Sequence, residues 1–119
     1  MKKGNYRQAF DLFSEAMSIL QQLGDKENAI LCLEAFAYIA KGWRFSDRAA
    51  RLLGADETLR KVTGFTRSQP MQADYDSTTA ELISQLGKHA FEAAWAEGSK
   101  MTYDQAITYA VDRSWRIES

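Results

Sequence analysis

The sequence contains very little cysteine, proline or histidine. Of its 119 residues, one is cysteine, one is proline and one is histidine. The single thiol, that of Cys32, cannot form an intramolecular disulfide, which fits a reducing compartment. The single proline, Pro70, leaves long stretches free to form helices. One histidine, His89, cannot supply the three or four ligands that a metal site needs. These absences favour a helical protein without a disulfide framework, metal or other cofactor.

The sequence also lacks an excess of charge and any long apolar run. Its formal net charge is −1, so nothing in the overall charge attracts nucleic acid or an anionic membrane. No apolar stretch approaches the ~20 residues of a membrane span, and the N-terminus lacks the apolar segment of a signal peptide. The apolar fraction of 45% is typical of a globular domain. We therefore expect one cytoplasmic domain that contacts no membrane and does not bind nucleic acid directly.

Apolar residues recur with helical spacing in the first half of the chain. Between Gly4 and Gly24 the residues at i, i+3, i+4 and i+7 are Tyr6, Ala9, Phe10, Phe13, Ala16, Met17, Leu20 and Leu23. This pattern predicts an amphipathic helix that ends at Gly24, with Asp25 as the N-cap of the next helix. That second helix is predicted over residues 26–41. Because it is apolar over most of its circumference, we expect it to lie between neighbouring helices.

A third helix is predicted over residues 47–63, with Ser46 as its N-cap. Its buried side is predicted to consist of Ala49, Leu52, Leu53, Leu59 and Val62. Residues 65–72 contain Pro70 and have no helical period, so they predict a loop.

The second half of the chain predicts three shorter helices. They cover residues 74–86, 88–97 and 103–114. Gly87 and Gly98 separate them, and Thr102 with Gln105 has the spacing of a capping box at the start of the last helix. No segment alternates with a period of two, so we expect an all-α protein of about six helices and no sheet.

Two similar segments in the first half indicate a repeat. Gly4 and Gly42 each precede a turn and a helix and are 38 residues apart, and Ala9 and Ala49 on the buried sides of those helices are 40 apart. These separations lie within the periods of helical-hairpin repeats. We therefore expect tetratricopeptide-like hairpins, a fragment of an α-α superhelix, over residues 1–66. Residues 67–119 are expected to form C-terminal capping helices packed on the repeat within one domain.

Two longer stretches resemble a known family. The stretch CLEAFAYIAKGWRFSDRAARLLGADETLRK, residues 32–61, resembles the last repeat of large bacterial ATP-dependent regulators of the LuxR and antibiotic-regulator types. The stretch FEAAWAEGSKMTYDQAITYA, residues 91–110, looks like the tail of the same proteins. The resemblance implies a helical sensor or scaffold without catalytic residues, and hence a protein that is not an enzyme.

The family's other modules are missing from this sequence. It contains neither the phosphate loop of the ATPase module nor a recognisable helix-turn-helix unit. Its first helix corresponds to the second helix of a hairpin, so we expect a fragment of a longer signalling or transcriptional regulator. Repeat helices need neighbours or polar caps, and we expect a homodimer in which a second copy covers Tyr6, Phe10 or Phe13 on the N-terminal helix.

Two sets of residues are candidates for contacts with a protein partner. In a tetratricopeptide array the groove is lined by the first helix of each repeat, which here presents Asn28, Leu31, Ala35 and Tyr38. The C-terminal helices would cover this face in the alternative arrangement. The second set is a basic patch of Arg44, Arg48 and Arg51, within a segment (residues 41–67) of charge +4. Residues 68–119 carry −4, so the alternative is that the two halves attract each other.

Three other features have an ordinary explanation that we prefer. His89 and Glu92 share a helix face, and Glu97 follows, but acid–base catalysis needs partners within hydrogen-bond reach in a cleft. His89 is therefore predicted to be a surface or boundary residue. Trp95 continues an apolar stripe and is predicted to lie in the core, and Cys32 is predicted to be a buried, inert thiol.

The sequence therefore favours a non-catalytic helical-repeat domain for protein–protein interaction. The alternative is a small-ligand sensor with a pocket lined by aromatic residues such as Tyr38, Trp43 and Trp95. An enzyme ranks last.

Overall fold

The computed structural model describes residues 3–114 and consists of six α-helices in this part of the chain. They are α1 (Lys3–Leu23), α2 (Lys26–Gly42), α3 (Ser46–Thr63), α4 (Gln69–Leu86), α5 (Lys88–Ser99) and α6 (Tyr103–Val111). No strand occurs within these residues, which confirms the all-α prediction. None of these helices is both long and apolar enough to span a bilayer.

Aromatic contacts hold α1 against α2. The ring of Phe10 is 1% exposed and meets the ring of Phe36 edge-on, with centroids 5.4 Å apart. Phe13 packs on the same ring at 6.3 Å, and Tyr6 stacks on Trp43 at 6.4 Å. The predicted apolar stripe therefore faces inward from Tyr6 to Leu20, and Phe10 is not available to a second copy of the chain. The prediction is wrong for Leu23, whose side chain is 73% exposed at the end of α1. The apolar residues that α1 leaves exposed are Leu12, Ile19 and Leu23.

Helix α3 lies at the centre of the molecule and contacts α2, α4, α5 and α6. Its buried apolar residues are Ala49, Ala50, Leu52, Leu53, Ala55 and Leu59. The prediction that Val62 is buried is wrong, because its side chain is 77% exposed at the end of the helix. A helix surrounded on several sides must also bury polar residues, and α3 buries Arg48, Asp56 and Arg60.

Local sequence signals define several helix ends as predicted. The carboxylate of Asp25 accepts a hydrogen bond from the backbone N–H of Asn28 at 3.2 Å and caps α2. Thr102 and Gln105 form the reciprocal capping box of α6, with hydrogen bonds of 3.1 and 2.9 Å. Gly24 adopts a φ of 70°, a left-handed conformation that glycine adopts readily after a helix.

Three predicted helix boundaries are wrong. Ser46 is the first residue of α3, not its N-cap, and its hydroxyl donates instead to the side-chain carbonyl oxygen of Gln85 at 2.6 Å. Helix α5 continues through Gly98 to Ser99, because Gly98 is buried against α3. Helix α6 ends at Val111, three residues before the predicted end.

The predicted loop is also too long. Helix α4 begins at Gln69, inside the 65–72 segment, with Ser68 as its N-cap and Pro70 in its first turn. A proline is well tolerated in the first turn because the N–H that it lacks has no partner within the helix. Ser68 followed by Pro70 is thus a helix start, and residues 64–68 form the α3–α4 loop. The tetratricopeptide-like arrangement of the helices stays a prediction.

Candidate functional site

An apolar groove lies between α1, α2 and the first turns of α4. It has a volume of about 340 Å³. Its lining residues are Phe13, Leu31, Cys32, Glu34, Ala35, Tyr38, Met71 and Asp74. We call it the α2 groove. Three of the four residues predicted for a partner-contacting face line it, whereas the side-chain amide of Asn28 donates to Asp25 at 2.8 Å beyond it.

The spacing of residues along α2 explains why they share the groove. Leu31, Ala35 and Tyr38 are separated by four and three positions, which places them on one face of a helix. The opposite side of α2 is buried against α3. The C-terminal helices do not close this face, since α4 contributes one wall through Met71 and Leu31 stays 41% exposed.

Two groups in the α2 groove can form hydrogen bonds but are held neutral. Burial raises the pKa of the Tyr38 phenol, and the negative charge of Glu34 raises it further. The Tyr38 hydroxyl is buried without a hydrogen-bond partner among the described residues. Burial also raises the pKa of the Cys32 thiol, which is half-buried rather than fully buried as predicted. The groove is therefore an apolar surface that carries one phenol and one thiol, with the carboxyl groups of Glu34 and Asp74 among its lining residues.

The three predicted basic residues do not share an exposed face. Arg44 is exposed in the turn after α2, in a left-handed conformation with a φ of 72°. Arg48 is buried: its guanidinium donates to the backbone carbonyl of Tyr109 and lies 4.2 Å from the centre of the Tyr109 ring. Arg51 is half-buried and pairs with Glu97 at 2.7 Å. Arg48 and Arg51 thus tie α3 to α6 and α5.

Attraction between the two halves of the chain is visible in these contacts. Besides the Arg51–Glu97 pair, the ammonium of Lys41 on α2 pairs with Glu81 on α4. The alternative explanation of the charge segregation, that basic and acidic halves attract each other, is consistent with both pairs.

A buried ionic cluster lies behind Glu34, on the α3 side of α2. At its centre is Arg67 of the α3–α4 loop, whose side chain is 4% exposed. Its Nε donates to Glu34 at 2.5 Å, its Nη2 to Asp56 at 2.6 Å and its Nη1 to Glu57 at 2.6 Å. One guanidinium thus binds carboxylates from two helices, and the Arg67 side chain holds the loop against α2 and α3.

The carboxylates of the cluster differ in protonation. Asp56 is 0% exposed, and burial together with a hydrogen bond shared with Glu34 raises its pKa to about 8. Burial also raises the pKa of Glu34, but hydrogen bonds with Asp56 and Arg67 outweigh this and hold that pKa below its usual value. At neutral pH the Glu34–Asp56 pair therefore shares one proton and carries one negative charge, not two.

This ionic cluster is not predictable from the spacing of residues along the chain. Asp56 and Arg60 have the i, i+4 spacing of a helical ion pair, and their Oδ1 and Nε atoms lie 3.0 Å apart. That spacing was the one available signal. Nothing in the sequence indicates that Glu34 and Arg67, 33 residues apart, meet the same pair.

The remaining candidate residues have structural surroundings. His89 is exposed, as predicted. Trp95 is half-buried and donates from its indole Nε1 to the Tyr75 hydroxyl at 3.2 Å. Trp43 is buried against Tyr6 and Phe45. The three aromatic residues proposed for a ligand pocket, Tyr38, Trp43 and Trp95, therefore do not line one common pocket. Tyr38 lines the α2 groove, and the two tryptophans contact other residues.

Comparison with known proteins shows similarity to regulators. Over 78 residues, or 66% of this chain, the sequence is 35% identical to proteins named "Putative HTH-type transcriptional regulator" in Mycobacterium tuberculosis and Mycobacterium bovis. The matched stretch covers 9% of each of these proteins. No protein-family model matches the chain, and no solved structure matches it significantly.

Proposed function

We propose that this chain is a non-catalytic interaction domain of a cytoplasmic regulator, and that its α2 groove binds an apolar segment of a partner protein. The observation that carries the proposal is the groove itself, where the exposed flank of α2 meets Phe13 and Met71. Leu31 remains 41% exposed there although it lies on a helix that is otherwise largely buried. Apolar side chains left open in a concave surface are typical of a recognition site.

The groove suits the side chains of a short peptide. Its volume of about 340 Å³ is at the small end for ligand pockets and accommodates a few apolar side chains. A helix or extended segment with anchors three or four residues apart would place those side chains along Leu31, Ala35 and Tyr38. Asp74 at the edge favours a basic residue beside the apolar anchors.

Two further observations support a regulatory, non-catalytic role. This chain resembles a short stretch of proteins that are named as transcriptional regulators. The one thiol in the groove, that of Cys32, has a pKa raised by burial, and a catalytic cysteine needs the opposite shift to form a thiolate. The proposal therefore assigns the groove to binding rather than to reaction.

Selection from a displayed peptide library tests the proposal. The expected result is enrichment of apolar peptides that slow the alkylation of Cys32, because a bound segment covers this thiol in the groove. Replacing Ala35 by Arg fills the groove and should abolish their binding. Val62→Asp, a change at an exposed apolar residue on α3, is the matched control and should bind as the wild type does. Peptides that bind Ala35→Arg equally well, or no enrichment at all, would contradict the proposal.

The second candidate function is the sensing of a small apolar ligand in the same groove. The Tyr38 hydroxyl favours it, because this group makes no close hydrogen bond among residues 3–114, although Glu34 lies near enough to raise its pKa, and a ligand can supply a better-placed acceptor. Tyr38→Phe separates the two candidates. It should weaken a hydrogen-bonded small ligand about tenfold, and it should leave an apolar peptide's affinity nearly unchanged.

A further inference from the structure

A second pocket lies on the other side of Glu34 from the α2 groove, between the end of α3 and the α3–α4 loop. Its volume is about 370 Å³. The charged and amide residues that line it are Glu57, Arg60, Lys61, Arg67 and Gln72. Three of these five are cations, so the pocket has the opposite character to the apolar groove.

Arg60 is buried in the wall of this pocket with part of its guanidinium unpaired. The residue is 7% exposed, and its Nε donates to Asp56 at 3.0 Å. Its Nη2 is buried without a hydrogen-bond partner among residues 3–114. Buried guanidinium nitrogens nearly always have an acceptor, because an unpaired one costs the full desolvation of an ionic donor. The vacant donor therefore points to an acceptor that the folded chain does not itself supply.

The charges around the pocket lead to the same conclusion. The groups that face Asp56 are Glu34 and Tyr38 from α2, Arg60 from α3, Arg67 from the loop and Tyr75 from α4. Because burial raises the pKa of Asp56 to about 8, the Asp56–Glu34 pair shares one proton at neutral pH and contributes a single negative charge. The single negative charge of this pair and that of Glu57 then oppose three cations, Arg60, Lys61 and Arg67, which leaves one positive charge uncompensated.

We propose that this pocket binds a small oxyanion, a carboxylate or phosphate group, with Arg60 as the buried anchor and Lys61 as an exposed second cation. Guanidinium N–H groups bind both kinds of oxyanion through short, charge-assisted hydrogen bonds. Arg67 is a supporting cation rather than the anchor, because each of its three nitrogens already donates to a carboxyl group, those of Glu34, Glu57 and Asp56. Gln72 at the edge adds an uncharged donor, because its Nε2 gives one N–H to Asp76 at 2.9 Å and has a second N–H for the anion.

Titration of the whole chain with acetate and with inorganic phosphate, followed by NMR, tests the proposal. We expect saturable shifts of the Arg60 Nε–H signal and of the backbone amides of residues 60–67 with at least one of the two anions. Lys61→Gln, at an exposed position, should fold normally and bind about two- to fivefold more weakly. Lys100→Gln removes the same charge beyond the far end of α5 and should leave the affinity unchanged. Arg60→Gln should bind at least tenfold more weakly.

Acetate also tests whether the ionisation of Asp56 controls anion binding, because the charge of acetate itself is constant between pH 6.5 and pH 9. As Asp56 ionises over this range, it neutralises Arg60, and acetate affinity should fall roughly five- to tenfold. Asp56→Asn, which cannot ionise, should keep its affinity at both pH values. The proposal is wrong if neither anion produces saturable shifts at residues 60–67. It is also wrong if Lys100→Gln weakens binding as much as Lys61→Gln does.

Discussion

Gly98 of α5 lies against the backbone of Arg51 on α3, so closely that a Cβ at position 98 would sit 2.8 Å from the Arg51 Cα and nearer still to its carbonyl group. The contact is reciprocal, because a Cβ on Gly54 of α3 would meet the backbone of Trp95 and lie 3.2 Å from the Ser99 nitrogen. Two glycines thus allow α3 and α5 to approach backbone to backbone, and this contact joins the two halves of the chain.

The glycine contact predicts the sign of a stability change. In an ordinary helix interior, Gly→Ala raises the free energy of unfolding by about 1 kcal/mol. Here Gly98→Ala should instead lower it by about 1–3 kcal/mol, because backbone atoms cannot move aside as a flexible side chain can. Urea unfolding of Gly98→Ala and Gly54→Ala measures this. A higher free energy of unfolding for either variant would contradict the prediction, because it would show that α3 and α5 can move apart without loss of stability.

The second prediction concerns Arg67. Replacing it by Met leaves Glu34 and Asp56 buried without their shared partner and should lower the free energy of unfolding by about 3–5 kcal/mol. Arg67→Lys should recover little of this loss, because one ammonium cannot replace a planar group that binds three carboxylates.

Arg113 provides the matched control for Arg67. It forms one ion pair with Asp11, at 3.1 Å, and its side chain is 57% exposed. Arg113→Met should therefore cost less than about 1 kcal/mol. Chemical denaturation of all three variants tests the prediction, which fails if Arg67→Met and Arg113→Met lower the stability equally.

The third prediction is a dependence of stability on pH. The folded-state pKa of Asp56, about 8, exceeds its ordinary value of 3.8, so the folded protein binds this proton more tightly than the unfolded chain does. The contribution of Asp56 to stability is therefore complete below about pH 4 and is lost as the pH rises toward 8. Glu34 has a lowered pKa, and its contribution is present above about pH 4.5 and is lost as the pH falls further.

Stability should consequently decline between about pH 5 and pH 8. Asp56→Asn should flatten this decline, because the amide remains neutral throughout. Urea midpoints measured across this range for both proteins test the effect. Parallel pH profiles for the two proteins would exclude Asp56 as the titrating group.

The fourth prediction concerns self-association through α1. We propose that a second copy covers the face of Leu12, Ile19 and Leu23, which are 65%, 55% and 73% exposed. Sedimentation velocity should show a concentration-dependent dimer that Leu12→Asp disrupts. Val62→Asp should have no effect, although Val62 is equally exposed, because it lies on α3. A wild-type chain that sediments as a monomer at high concentration would contradict this proposal. That result would not affect the proposal that the α2 groove binds a partner.

Part of the candidate site was predictable from the sequence. The spacing of Leu31, Ala35 and Tyr38 places them on one helix face by geometry alone, and the structure shows that this face lines the groove. The wall of the groove that α4 forms through Met71 is not predictable, since residues 65–72 have no helical period and predict a loop. The pattern around Ser68 and Pro70 predicts a break in helical structure, whereas in the structure this serine cap and first-turn proline begin α4.

Local interactions explain what the sequence by itself determined: the all-α class, the six helices, the inward face of α1 and the caps at Asp25 and Thr102. Each depends on residues within about four positions of one another, so the spacing along the chain is sufficient to predict it. The tertiary structure alone decided that Gly98 is a helix–helix contact and that Arg48, Asp56 and Arg60 are buried. Those outcomes depend on partners tens of residues away. The polar residues of α3 become buried because other helices surround it, and only the folded chain brings Glu34 and Arg67 to them.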